Sequence, residues 1–537
     1  MKQNKKWLML VMFLVAAVLV LGACSGDKDE SENNNDKDNS EENNDTDTEA
    51  TAGGTLNFAF NAQPPMLDPT GTTATATRDM VRNIYEQLVT FDSEMNVVPM
   101  LAESFEVNEE DATVTFELRQ GVKFHNGEEM TAEDVVASME RWAAQSAQAI
   151  SFLSGVTFKA DGDYTVIAQL DKIGGIDMFI FADLTQIAAI MPKEVAEAAG
   201  DEPLTEYIGT GPYKFEEWKQ DQYIKLLKFE DYVASEEPAN GLAGKKEAYA
   251  DEIVFHIVTD ASTRVAGLQS GEYHFANFLS PDSVPQLQAD DNVVTLPEIN
   301  SIPGFVFNKK EGIFTDIKMR QAFAAGVNLE EVMHAAYGDA EFYELDPSLM
   351  LEGHAWYTDA GSENYDQRDI EKAKQLLDEA GYNGEEVRIL TSREYEDYYT
   401  FSVVVQEQLK EAGMNIVLDV VDWSTVLEKR EDPSAYDIFI SGWGVRPTPV
   451  QYPFLDSGAE WPGWTDSPEI DALIEDIQAT TDENEQKALV EELQTEFWNY
   501  LPILKPGNKA DVMGHRASIE GFETLLGPVL WNVSINE

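Results

Sequence analysis

Cysteine is almost missing from this chain. Its 537 residues include one, Cys24, so no disulfide can form within it. Histidine is scarce as well. His125, His256, His274, His334, His354 and His515 are scattered, no two at i, i+4 spacing, and there is no C-x-x-C pair, so the pattern of a dedicated metal site is lacking. Positive charge is in short supply: 37 Lys and Arg stand against 99 Asp and Glu, a net charge of −62. A field of that sign repels phosphate backbones and anionic bilayers, which disfavours nucleic acid and anionic bilayers as direct partners. The sequence contains no G-x-S-x-G, no G-x-x-x-x-G-K-[ST] and no G-x-G-x-x-G. Gly209–Tyr213, GTGPY, lacks the lysine of a phosphate loop and reads as a turn. With neither a nucleophile nor a metal set, an enzyme is not expected, and no cofactor is implied.

What is present begins at the N-terminus. Lys2, Lys5 and Lys6 precede an apolar run, Leu8–Leu21, that is short for a membrane span of about 20 residues. A basic start, a short apolar stretch and small residues before a cut make a secretory signal peptide, residues 1–23. The L-G-A-C end resembles the lipobox of bacterial lipoproteins. That resemblance implies acylation of Cys24 and a protein held at the cell membrane, on its extracytoplasmic face, by more than one acyl chain. Residues 24–53 are Asp, Glu, Asn and Ser with almost nothing apolar. Such a segment cannot bury enough surface to offset its ordering entropy, and it reads as an acidic, disordered tether.

The remainder is too long for one core, so two or more lobes are expected. Strand patterns fall at Leu56–Phe60, Val114–Leu118, Tyr164–Leu170, Lys214–Trp218 and Ile253–Val258, and helical patterns at Arg78–Leu88, after Thr131 with Asp134 three residues on, and at Thr263–Ser270. From Asp366 the pattern is regular: a helix with Asp366 as N-cap and Gly381 as stop, the strand EVRIL, a helix Tyr399–Ala412, the strand NIVLDVV, a helix capped by Ser424, and the strand DIFIS. This αβαβαβ order predicts a parallel sheet with its ligand site beyond the carboxyl ends of the strands. Thr391-Ser392-Arg393, Asp422-Trp423 and Gly442-Trp443-Gly444 follow those three strands, and therefore share one edge.

Several stretches, in this order, resemble the family-5 extracellular solute-binding proteins, the peptide- and nickel-type receptors of ABC importers: GGTLNFAF, IYEQLVTFDSEMNVVPMLAESFEV, TVTFELRQGVKFHNGEEMTAEDVVASMER, GTGPYKFEEW, FNKKEGIFTDIKMRQAFAAGVN, AKQLLDEAGY and YDIFISGW. The resemblance covers residues 54–537. It implies an α/β fold of the type II periplasmic-binding-protein kind, two lobes with a hinge and an extra subdomain on the first. Lobe I would be 54–305 plus 507–537, with an inserted subdomain about 89–204, and lobe II 306–506. The crossings would fall near Ile302-Pro303-Gly304 and Leu504-Lys505-Pro506. A peptide or other small molecule would close the lobes, ABC permease subunits would receive it, and the receptor would act as a monomer.

The resemblance also implies ligand contacts. Dipeptide-binding members hold the peptide carboxylate with an arginine in R-x-Y, matched by Arg393-Glu394-Tyr395. With Trp423, Gly442 and Trp443 these form the expected site. The same members carry an aspartate three residues after the tryptophan of S-G-W, for the peptide ammonium. Here Arg446 stands at that place. Either the ammonium is read elsewhere, or the solute is more anionic than a simple peptide, with Arg393 and Arg446 acting together. A non-peptide anionic solute, a nickel chelate and a sensory or adhesive lipoprotein on the same fold are the alternatives.

Overall fold

The computed structural model describes residues 53–536. Cys24, the expected signal peptide and all but Gly53 of the expected tether lie outside the described residues.

The elements that position the site are β1 (Thr55–Phe60), α1 (Thr75–Val81), β2 (Glu252–Ile257), β3 (Val293–Phe307), α2 (Ile370–Ala380), β4 (Glu386–Thr391), α3 (Glu396–Ala412), β5 (Asn415–Val420), α4 (Trp423–Lys429), β6 (Ile438–Gly444) and β7 (Asn508–Arg516). One mixed sheet runs through the molecule in the order β5-β4-β6-β3-β7, then Phe275–Ala276, β1, β2, Tyr223–Lys228 and Tyr213–Lys219. The expected αβαβαβ run is present, and β4 lies parallel to both β5 and β6.

β3 is the pivot of this sheet. Its first part, Val293 to Ser301, pairs antiparallel with β7, and its last part, Ser301 to Phe307, with β6. On the β7 side the ladder stops at Ser301↔Lys509 and resumes at Phe305↔Leu504. Pro303, which has no N–H to contribute, falls in that gap. Of the positions expected as chain crossings, Ile302-Pro303-Gly304 and Leu504 belong to the sheet, while Lys505 and Pro506 lie between two strands. Lys505 is fully buried, and its ammonium donates to the carbonyls of Asp346, at 2.8 Å, and Ser348.

The apolar core has two parts. Leu56, Phe58, Phe60, Ile253 and Phe255 belong to one, and Phe305, Phe307, Ile389, Ile438 and Phe497 to the other. Within residues 89–204 a separate antiparallel sheet forms from Ala102–Asn108, Thr113–Leu118, Thr165–Gln169 and Thr157–Ala160, in that order. Phe116 of this sheet, with Trp142 and Phe181 from the helices Ala132–Gln145 and Asp177–Phe181, is continuous with the second part of the core. Phe179 meets Trp356 with ring centres 5.1 Å apart, and Gly175 N–H donates to Gln478 O at 2.8 Å.

Three local readings are corrected. The helix expected at Arg78–Leu88 spans Thr75–Val81 instead, because the Asn83 amide donates to the carbonyls of Asp79 and Met80 that a longer helix would use. Asp366 does not cap α2; Asp369 does, accepting from Lys372 N–H, while Asp366 Oδ1 accepts from Leu329 N–H. The cap of α4 is Asp422, which accepts from Thr425 N–H at 3.0 Å, not Ser424. By contrast, the Thr131–Asp134 capping box forms as read.

Candidate functional site

At the carboxyl end of β6, Ser441, Gly442, Trp443 and Gly444 stand opposite Gly304, Pro303, Ile302 and Ser301 of β3. Trp443 is 8% exposed and packs on Phe454 and Trp461, ring centres 4.7 and 5.4 Å away. Gly304 gives the indole room, since a Cβ there would lie 3.1 Å from its Cζ3. Gly442 has a closer neighbour: a Cβ would come within 2.5 Å of Tyr398 Oη. Glycine at 442 is thus what lets the Tyr398 phenol of α3 lean over the strand end.

These residues line a cavity of about 240 Å³. Gly442 to Val445 contribute from β6 and the residue beyond it, and Tyr398 from α3. Thr75 and Arg78 of α1, Asn300 and Ser301 of β3, and Lys509 and Asp511 of β7 complete its polar lining. Strand alternation explains the last pair: Lys509 and Asp511 share one face of β7, with buried Asn508, Ala510 and Val512 between and beside them. A β-bulge explains Asn300. The register passes from Ile299↔Ala510 to Ser301↔Lys509, so Asn300 is the extra residue and its side chain is re-aimed. Ser301 Oγ donates to Asn300 Oδ1 at 3.2 Å, and the Asn300 side chain is hydrogen-bonded to Asp511.

The ionic groups are unevenly matched. Arg78 Nε pairs with Asp79 Oδ1 at 2.8 Å, and Lys509 Nζ with Asp397 Oδ2 at 3.4 Å. The Tyr337 hydroxyl also donates to Asp397 Oδ2, at 3.0 Å. Burial raises the Asp511 carboxyl above its ordinary range, against the lowering influence of Lys509, Asn300 and Arg78. Opposite Asp511 on β3, burial pushes Glu298 up to about 7 although Arg78 and Arg82 pull the other way. Its Oε1 accepts from Leu526 N–H at 3.2 Å, and its Oε2 is buried without a partner.

Of the residues read from the sequence, Gly442 and Trp443 line the cavity. Tyr395 stacks on Tyr398 at 5.0 Å and meets Trp423 at 4.5 Å, an aromatic group adjoining the lining through Tyr398. Arg393 is not brought to the lining. Its guanidinium lies over the Tyr399 ring, 3.8 Å from the centre, and donates to the Tyr399 hydroxyl. Arg446 also stands apart from the lining, with Nη1 donating to Thr185 Oγ1 at 3.0 Å and Nε buried without a partner. Sequence reading missed Tyr398, Arg78, Asn300, Lys509 and Asp511. Only the last two carried a signal, the K-x-D spacing within a strand-forming stretch.

A large mixed sheet, with a small cavity lined from both ends of the chain at the carboxyl edge of a parallel αβαβαβ unit, is the type II periplasmic-binding-protein fold. The chain belongs to the bacterial extracellular solute-binding proteins, family 5: the family's model, described as "Bacterial extracellular solute-binding proteins, family 5 Middle", matches residues 96–462. It is a family of binding proteins. The chain is similar to the "Probable peptide ABC transporter periplasmic-binding protein y4tO" of Sinorhizobium fredii, at 29% identity over 87% of this chain and 91% of that one. It is 27% identical to the oligopeptide-binding protein AppA of Bacillus subtilis, over 97% of each chain. Among solved structures, the ABC transporter substrate binding protein CtaP of Listeria monocytogenes matches with a TM-score of 0.79 at 23% identity, covering 90% of this chain and 100% of that chain.

Proposed function

We propose that this protein is the lipid-anchored, extracytoplasmic receptor of an ABC importer. It captures a short peptide or a related small solute between two lobes, 54–305 with 507–537 and 306–506, and delivers it to a permease. The observation that carries the reading is the cavity at the end of β6, whose lining comes from α1, β3, β6 and β7 together. A solute held there would contact both parts of the sheet across the gap at Pro303, so binding would favour a closed arrangement. At about 240 Å³ the cavity is smaller than most ligand pockets, which favours a solute of one or two residues over a long peptide. The names of y4tO and AppA support peptides as the class. In this reading Tyr395 and Trp423 back the aromatic wall, and Arg393 reaches a solute carboxylate after leaving Tyr399.

Full-length protein extracted from membranes, screened with di- and tripeptides, is expected to gain thermal stability with peptide concentration, because the solute binds only the folded form. A fatty-acid label is expected on the wild type and not on Cys24→Ser. Peptides that leave the melting temperature unchanged sink the peptide reading. A label retained on Cys24→Ser sinks the anchor.

A further inference from the structure

We propose that Asp511 reads a positive charge on the solute, the α-ammonium of a short peptide, in place of the carboxylate missing from position 446. The inference rests on the receptor reading above and names the group that makes it selective.

The charges at the cavity carry the argument. Its lining contains three ionisable side chains, Arg78, Lys509 and Asp511. Both cations make their ion pairs with carboxylates outside the lining, Arg78 with Asp79 and Lys509 with Asp397. Asp511 takes part in neither pair. Its side-chain hydrogen bond is to Asn300, a neutral amide. The cavity therefore holds one carboxylate without a contacting cation, in a place where burial already disfavours its charge. A solute ammonium there would supply the charge-assisted hydrogen bonds that Asn300 alone does not.

Local structure keeps Asp511 available for this. The bulge at Asn300 turns that side chain onto Asp511, and Ser301 fixes its amide by occupying Oδ1. The side chains of Arg78 and Lys509 remain 22% and 21% exposed, so N–H groups beyond their ion pairs can meet carbonyl or carboxylate oxygens of the same solute. The arrangement selects a small zwitterion with a free amine over a dianion.

The test compares dipeptides that bind the wild type with their N-acetylated forms, by titration calorimetry on the full chain. Acetylation is expected to weaken binding by about 30-fold or more, the usual cost of removing one partner of a desolvated charge pair. Asp511→Asn, checked for an unchanged melting temperature, is expected to lose a similar factor for the free amines and to bind free and acetylated forms alike. Equal affinity of the wild type for both forms overturns the inference and leaves the receptor reading standing. So does an Asp511→Asn variant that still prefers the free amine. A wild type that binds dicarboxylates and no peptide overturns both. Because acetylation is scored on the wild type, a variant that fails to fold does not decide the matter.

Discussion

Individual side chains in this protein differ most in whether their charge has a partner. Arg141 and Asp68 are both buried and meet as a fork, Nη2 to Oδ2 at 2.6 Å and Nη1 to Oδ1 at 3.3 Å. Burial would raise the Asp68 carboxyl, but the hydrogen bonds and charge of Arg141, together with the Leu204 and Thr70 N–H groups, outweigh it and hold it low. Glu298 is the opposite case, with one buried oxygen unpartnered and its carboxyl pushed up to about 7. The unfolded value is about 4.3, so between these limits the folded state holds a proton that the unfolded chain has released. Its contribution to stability therefore falls as pH rises from about 4 to about 7 and stays lost above that. Glu298→Gln keeps the shape and removes the ionisation. Relative to wild type it should gain on the order of 2–4 kcal/mol between pH 4.5 and pH 8, read from urea unfolding at both. A difference that does not change with pH would mean Glu298 is ionised in the fold at no cost.

Between elements, the decisive approach is that of α3 to the end of β6. Tyr398 comes close enough that a Cβ at Gly442 would sit 2.5 Å from its hydroxyl oxygen. Gly442→Ala should therefore displace the phenol and weaken solute binding about 10-fold or more while the sheet still forms, since position 442 keeps its place opposite Pro303. Tyr398→Phe in the same chain removes the colliding oxygen and should recover most of the loss, as contacting residues do not act additively. Titration calorimetry of the two single variants and the double one decides this. A double variant as weak as the sum of the singles would show that Gly442 acts through something other than Tyr398.

On the scale of the whole molecule, the segment beyond β6 reaches residues that the sheet does not contain. Arg446 bonds to Thr185, and Gln451 Nε2 to Gln148 Oε1 at 2.8 Å and Asp183 Oδ2 at 3.1 Å. The same segment begins at Val445 in the cavity wall, so the cavity lining and these hydrogen bonds share one stretch of chain. If these bonds exist only in the closed form, removing them shifts the equilibrium toward an open one and lowers apparent affinity by the fraction closed. The double variant Thr185→Val, Gln451→Ala should show a larger radius of gyration without solute in X-ray scattering, and an affinity about 10-fold weaker. An unchanged radius and affinity would show that these bonds do not hold the closed form.

Local pattern alone was enough for the αβαβαβ run and the capping box at Thr131, because periodicity and cap chemistry are properties of neighbouring residues; Gly442 and Trp443, expected just past the third strand, instead form the last part of β6, paired with β3. The blocks from GGTLNFAF to YDIFISGW sufficed for the family. The charge of the cavity was a different matter. Arg78, Asn300 and Asp511 are hundreds of positions apart, and with 99 acidic residues in the chain nothing local says which carboxylate lacks a cation. The helix start at Asp422 rather than Ser424, and the turning of Arg393 onto Tyr399, likewise depended on which of several nearby partners packing made available. Ion pairing inside a fold is settled by three-dimensional proximity and desolvation, and only the tertiary structure brought β3, β7 and α1 together and left Asp511 in the cavity lining outside the Arg78–Asp79 and Lys509–Asp397 pairs.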